Sequence, residues 1–144
     1  MSKYHQGIFT PKNPEKYIGN VNKIFYRSSW ERSVFYRMDQ DPGIIKWASE
    51  EFGVPYLSPV DYRTHIYYPD LYLENIHGEK FVLEIKPDIQ TRPPAKRSRN
   101  TKRYITEVKT FAINTSKWNA AEKFCKERGW QFKVVTEKEL GIKW

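Results

Sequence analysis

The stretch YYPDLYLENIHGEKFVLEIKPDIQ, residues 67–90, leaves its chain few ways to fold. Two apolar, strand-like runs flank a turn around Gly78. Side chains alternate between the two faces of a strand, so the length of the turn decides which residues share a face. A two-residue turn at His77-Gly78 pairs Asp70 with Ile85 and buries charged and apolar side chains together. An odd-length turn centred on Gly78 pairs Asp70 with Lys86 and Tyr72 with Glu84. One face then carries Leu71, Leu73, Phe81, Leu83 and Ile85, and the other carries Asp70, Tyr72, Glu84 and Lys86. Hydrophobic patterning therefore selects the odd turn, with Gly78 taking the left-handed position such a turn needs.

That register gathers an Asp, a Glu and a Lys on the sheet. Two neighbouring, half-buried carboxylates repel, and one is expected to take up a proton unless a cation intervenes. A hard divalent ion resolves the conflict, because Mg²⁺ prefers oxygen ligands and accepts only a few from a protein. Asp70 and Glu84 are the candidate ligands, with the Ile85 backbone carbonyl available as a third and Mn²⁺ as an alternative ion. Lys86, one strand repeat beyond Glu84, is positioned to hold and polarise a water, which outlines a phosphodiester hydrolysis site. The bland alternative is a solvated sheet face with a cross-strand salt bridge worth under about 1 kcal/mol.

The charge balance favours a polyanionic partner. The chain has 144 residues with 25 Lys+Arg against 17 Asp+Glu, formally +8, so nucleic acid is the first candidate. No apolar run approaches the length of a membrane span, and MSKYHQGIFTPKNPEKY lacks the apolar core of a signal peptide. Cys125 is the sole cysteine, which excludes an intrachain disulfide and argues against a zinc-thiolate site. A reducing cytoplasm fits this usage. His5, His65 and His77 have no metal-ligand spacing and are assigned no role.

Residues 1–27 read as a basic, extended arm with Pro11 and Pro14 opposing helix, and residues 28–144 as one mixed α/β domain. SSWERSVFYRM predicts a helix with Ser28 and Glu31 as a capping box and Trp30, Val34 and Met38 as its buried stripe. After short strands and the hairpin comes TRPPAKRSRNTKRY. Its six basic residues (Arg92, Lys96, Arg97, Arg99, Lys102 and Arg103) are expected to hold a phosphate backbone beside the site. Helical spacing resumes at Tyr104, Val108, Phe111 and Ala112 and continues through Trp118, Ala121, Phe124 and Cys125 to Gly129, as one helix or a pair. QFKVV is a strand, and TEKELG opens a terminal helix with its own capping box.

Pro69-Asp70, then Glu84-Ile85-Lys86, with Glu31 on the first helix, resembles the motif of the PD-(D/E)XK nuclease superfamily. YRSSWERSVFYRMDQDPGIIKWASEEFGVPY, together with VVTEKELG, is similar to the endonuclease subunit that cuts transposon ends. GIFTPKNPEKYIGN, YRSSWE, SPVD, TKRYITEVKT and KFCKERGWQFKVVTEKELG carry a closer likeness, to the head completion nucleases of large tailed phages. The resemblance implies a restriction-endonuclease-like core, in which a mixed sheet of about four strands is flanked by helices. It implies Mg²⁺-dependent DNA cleavage, with Asp70 and Glu84 on the metal, Lys86 by the attacking water and Glu31 supporting the metal or its waters. Lys117, on the later helix, is a further candidate to approach the site.

For the phage branch the resemblance implies a step after DNA packaging, in the host cytoplasm or on the virion head, with capsid or portal proteins as further partners. Many nucleases cut both strands by dimerising, so a homodimer is compatible with the sequence. The rival reading is a DNA-end-binding or capsid-plug protein that keeps the fold without catalysis. A general RNA-binding module is weaker, for want of an aromatic RNP signature.

Overall fold

A computed structural model describes residues 6–96 and 98–140. The chain opens with a short ribbon of β1 (Gly7–Ile8) and β2 (Phe25–Tyr26), separated by a 3-10 turn at Pro14–Lys16. Helix α1 (Ser29–Gln40) leads into β3 (Ile44–Ser49). Two hairpins follow, β4 (Val54–Leu57) with β5 (Thr64–Tyr67) and β6 (Leu71–Asn75) with β7 (Lys80–Ile85). The chain continues through α2 (Lys102–Arg128) and β8 (Gln131–Val135) to α3 (Glu137–Leu140).

The central sheet has the order β3-β6-β7-β8, with β4-β5 as a separate ribbon. Its first two pairings are antiparallel and β7-β8 is parallel, a pairing that needs the crossover α2 supplies. One face packs Leu71, Leu73, Leu83 and Ile85 against Trp30, Val34, Phe35 and Met38 of α1. The other packs Ala48, Tyr72 and Val82 against Cys125 of α2, with Phe52, Phe124, Trp130 and Phe132 around them. Both faces are therefore covered, and the charged residues sit at the end of one of them rather than on a solvated surface.

The β6-β7 turn is odd in length, as the patterning requires, but it lies one residue earlier than expected. Leu71 pairs with Leu83, Leu73 with Phe81 and Glu74 with Lys80, which centres the turn on His77. Gly78 is left-handed, with φ +79°. The Asn75 side chain causes the shift: its Oδ1 accepts from the N–H groups of His77 and Glu79, at 3.0 and 2.9 Å, so the turn begins at Asn75. The shared faces are unchanged, but Asp70 now falls opposite Glu84 instead of Lys86.

The described part of residues 1–27 is not the extended arm its prolines and lysines suggest. Phe9, Tyr17 and Ile24 are buried in the same core as α1. Trp47 is fully enclosed, with ring centroids 5.9 Å from Phe9, 4.7 Å from Tyr17 and 5.5 Å from Phe35. The buried Asp39 carboxylate accepts from the Lys12 and Asn13 N–H groups at 2.9 and 3.0 Å, and Lys16 Nζ donates to the Asp39 carbonyl at 2.8 Å. A buried carboxylate held by backbone donors fixes this segment to α1.

α2 is one helix of 27 residues, about 40 Å long, against strands of roughly 20 Å. Thr101 Oγ1 accepts from Tyr104 N–H at 3.1 Å to start it, and Gly129, at φ +73°, ends it. Its buried residues are Asn114, Ala121 and Cys125. No residue of it before Asn114 is buried, and Val108, read as part of its helical spacing, is 41% exposed. α3 is capped as expected, with Thr136 N–H donating to Glu139 Oε2 at 2.6 Å.

Candidate active site

The ladders end beside an open cavity of about 560 Å³ lined by Arg27, Glu50, Tyr67, Asp70, Glu84 and Lys117, among others. Ser49 pairs with Leu71 across β3-β6, and Leu71 with Leu83 across β6-β7. One step further along both ladders, Glu50, Asp70 and Glu84 fall in a row across three strands.

Asp70 Oδ2 accepts from the Ile85 N–H at 2.8 Å. The N–H and C=O of a strand residue point to the same side, so the Ile85 carbonyl is turned toward Asp70 as well. Glu84 is 5% exposed. Asp70 is partly buried, and its carboxyl group lies among protein atoms. Burial pushes it well above the usual carboxylate range, and the charge and hydrogen-bonding of Glu84 push the same way, while the Ile85 N–H pulls down. Without a cation, Asp70 therefore favours its protonated form. The Tyr67 hydroxyl is buried beside Glu84 without a hydrogen bond of good geometry, and burial raises its pKa strongly.

Glu31 reaches the site from the opposite layer, at the first turn of α1. Its N–H donates to Ser28 Oγ at 3.1 Å, which is half of a capping box. The other half differs from expectation, because the Glu31 carboxylate accepts from the Arg27 N–H, at 3.4 Å. Burial raises the Glu31 pKa, and the Arg27 amide and charge lower it. The charges of Glu31 and Asp70 are both felt at Arg27.

Lys86 lies just past the last β7 residue, half-buried, with its N–H donating to the Val135 carbonyl at 3.0 Å. Alternation places it on the face of Glu84, though it does not line the cavity. The ammonium that does is Lys117 Nζ, 5.6 Å from the Tyr67 ring centroid and 5.9 Å from that of Tyr56.

Among the described residues no three His, Cys, Asp or Glu side chains come together as a ready-made metal cage. A crowded pair of carboxylates with a backbone carbonyl turned toward it nevertheless suits Mg²⁺ or Mn²⁺, which keep most of their ligands as water or phosphate oxygens. A softer, closed site is not built here.

The basic run is only partly available to a phosphate backbone. Arg92 is paired with Asp88, and Arg103 Nε donates to Glu107 Oε1 at 3.1 Å. Asp88 N–H also donates to Glu137 Oε1 at 2.8 Å, which ties the start of the loop to α3. Lys96, Arg99 and Lys102 are exposed, and Arg97 lies outside the described residues.

Arg27, Glu50 and Tyr67 were not singled out by sequence. For Arg27 a signal existed, since it immediately precedes the capping box that holds Glu31. For Glu50 it did not, because its place depends on the β3-β6 register.

The family profile described as the N-terminal domain of TnsA-like endonucleases matches residues 41–137. The head completion nuclease of Enterobacteria phage T4 is 38% identical over 146 residues, which span 96% of this chain and 97% of that protein. No solved structure matches the chain. The mixed four-stranded sheet flanked by helices is accordingly a restriction-endonuclease-like core.

Proposed function

This chain belongs to the family of TnsA-like endonuclease domains, and from that premise we propose that it is a Mg²⁺-dependent DNA endonuclease of the PD-(D/E)XK type, acting in phage head completion. The observation that carries the metal-dependent part is the Asp70–Glu84 pair, Glu84 buried and Asp70 partly so, brought opposite one another at the strand ends with the Ile85 amide holding Asp70.

Hydrolysis of a phosphodiester requires a positioned water, an orientation for the scissile phosphate and a sink for growing negative charge. Asp70, Glu84 and the Ile85 carbonyl would hold the cation, which when bound supplies Lewis-acid stabilisation at the phosphate. Lys86 orients and polarises the attacking water from the same face as Glu84. Glu31 accepts hydrogen bonds from waters on the α1 side. Lys117, leaning on the Tyr67 and Tyr56 rings, places a positive charge against the bound phosphate.

DNA is the substrate in this reading, and the similarity to a head completion nuclease suggests capsid or portal proteins as neighbours in the infected cytoplasm or on the virion head. A homodimer would provide cutting of both strands. No helix among the described residues is long and apolar enough to cross a membrane. The test is incubation of duplex, nicked and branched DNA with the protein in Mg²⁺, in Mn²⁺ and in EDTA. Cleavage in either metal and none in EDTA is expected. DNA that is bound but left intact in both metals would favour the rival, a non-catalytic DNA-end-binding or capsid-plug protein.

The exposed part of the basic run makes a second expectation. Neutralising Lys96, Arg99 and Lys102 together should flatten the log–log salt dependence of DNA binding by about two to three units, since each phosphate contact contributes roughly 0.9. Titrations between low and moderate salt would read the slope. An unchanged value would assign the run to a protein partner instead.

A further inference from the structure

Glu50 breaks a local rule at the rim of the cavity. By register it is the third carboxylate of the row that contains Asp70 and Glu84. Its backbone is instead left-handed, with φ +53°, a conformation disfavoured for a residue with a side chain. The chain leaves β3 there, and the Glu50 carboxylate turns to Arg27. Both guanidinium nitrogens engage it: Nη1 with Oε1, and Nη2 with Oε2 at 2.9 Å.

Three properties of this pair point in one direction. The Arg27 side chain is 59% exposed and that of Glu50 31%, so water competes for the bridge and an incoming anion can exchange with it. A planar guanidinium fork fits two oxygens of a phosphodiester as well as two of a carboxylate. The root of Arg27 is fixed, because it directly precedes the cap of α1 and its N–H donates to Glu31. The fork is thus held beside Asp70 and Glu84 with a carboxylate sitting where a phosphate would fit.

We propose that Arg27 grips a backbone phosphate next to the scissile bond, and that Glu50 is a stand-in ligand that keeps the fork aligned until a phosphate displaces it. This inference rests on the nuclease reading of the cavity, and it makes Arg27 a positioning residue for DNA. Displacing Glu50 breaks its bridge to the Arg27 fork, which offsets part of the new phosphate contact. Binding is therefore weaker with Glu50 present than without it, and only while Arg27 is there to be contested.

The test is a double-mutant cycle on affinity for a labelled duplex, measured by fluorescence anisotropy in EDTA, where cleavage plays no part. Glu50→Gln should tighten binding about fivefold, and Arg27→Ala should weaken it about tenfold. In the Arg27→Ala background Glu50→Gln should change affinity by less than about twofold. Arg27→Lys, which keeps the charge and loses the fork, should lose most of what Arg27→Ala loses, and it serves as the second background should Arg27→Ala fold poorly. An equal gain from Glu50→Gln in all backgrounds would be a general charge effect and would overturn the proposal. Parallel incubation in Mg²⁺ separates the two ideas: intact DNA there counts against the nuclease reading, whereas the cycle decides the role of Arg27.

Discussion

Asp70→Asn should lose DNA cleavage by several orders of magnitude while gaining thermal stability in the metal-free state at neutral pH. Asn reproduces the shape of the protonated carboxyl: its Oδ1 can accept from the Ile85 N–H, and its Nδ2 can face Glu84. It offers no charge to a cation. The stability effect follows from the raised Asp70 pKa. A carboxyl held protonated by the fold contributes stability that is fully present below its unfolded value, near 3.9, and is lost as pH rises through its folded value. The metal-free parent should therefore weaken as pH climbs from about 4 toward neutrality, and the variant should not show that part of the decline. Mg²⁺ should restore the parent at neutral pH, because a cation favours the charged pair, and should do little for the variant. Thermal melts from acid to neutral pH, in EDTA and in Mg²⁺, would read this beside a cleavage assay. Normal cutting by Asp70→Asn would remove the central carboxylate from the mechanism. Identical pH profiles would mean that the fold does not hold Asp70 protonated.

Glu31→Gln carries the next largest effect, a loss of cleavage of about a hundredfold, or roughly 2.7 kcal/mol of transition-state stabilisation, with a melting temperature like that of the parent. The structure makes the comparison clean. Ser28 Oγ caps the backbone N–H of residue 31, whatever its side chain, and Gln Oε1 can accept from the Arg27 N–H as Glu does. What Gln lacks is the negative charge that acts on Asp70. Ser28→Ala should do the reverse, costing about 0.5–2 kcal/mol of stability through the lost cap while sparing the rate per folded molecule. A fully active Glu31→Gln would confine Glu31 to capping and leave Asp70, Glu84 and Lys86 as the working set.

What could be read without coordinates was local. The parity of the β6-β7 hairpin follows from a two-residue period, so Asp70, Glu84 and Lys86 share a face wherever an odd-length turn is centred. The Asn75 side chain moved that centre by one residue, a detail set by competition among turn geometries rather than by hydrophobicity. α1 was legible from its cap and its Trp30, Val34 and Met38 stripe. The segment around Phe9, Tyr17 and Ile24 was misread as an arm because its partners, Trp47, Phe35 and Asp39, lie tens of residues away. The Arg27–Glu50 bridge spans 23 positions and depends on a left-handed residue that no composition announces. In the basic run, the acids four residues from Arg92 and Arg103 are visible in the sequence, but that they hold those arginines is not.

The unbroken length of α2 gives the molecule a caliper. Lys102 at its start and Lys117 at the cavity belong to one rigid rod, and 15 residues separate them by about 22 Å, close to the rise of six base pairs. Under the nuclease reading, a duplex lying along this helix would meet both points only if it extended that far beyond the bond to be cut. Under that reading a shorter piece would reach one lysine or the other, never both.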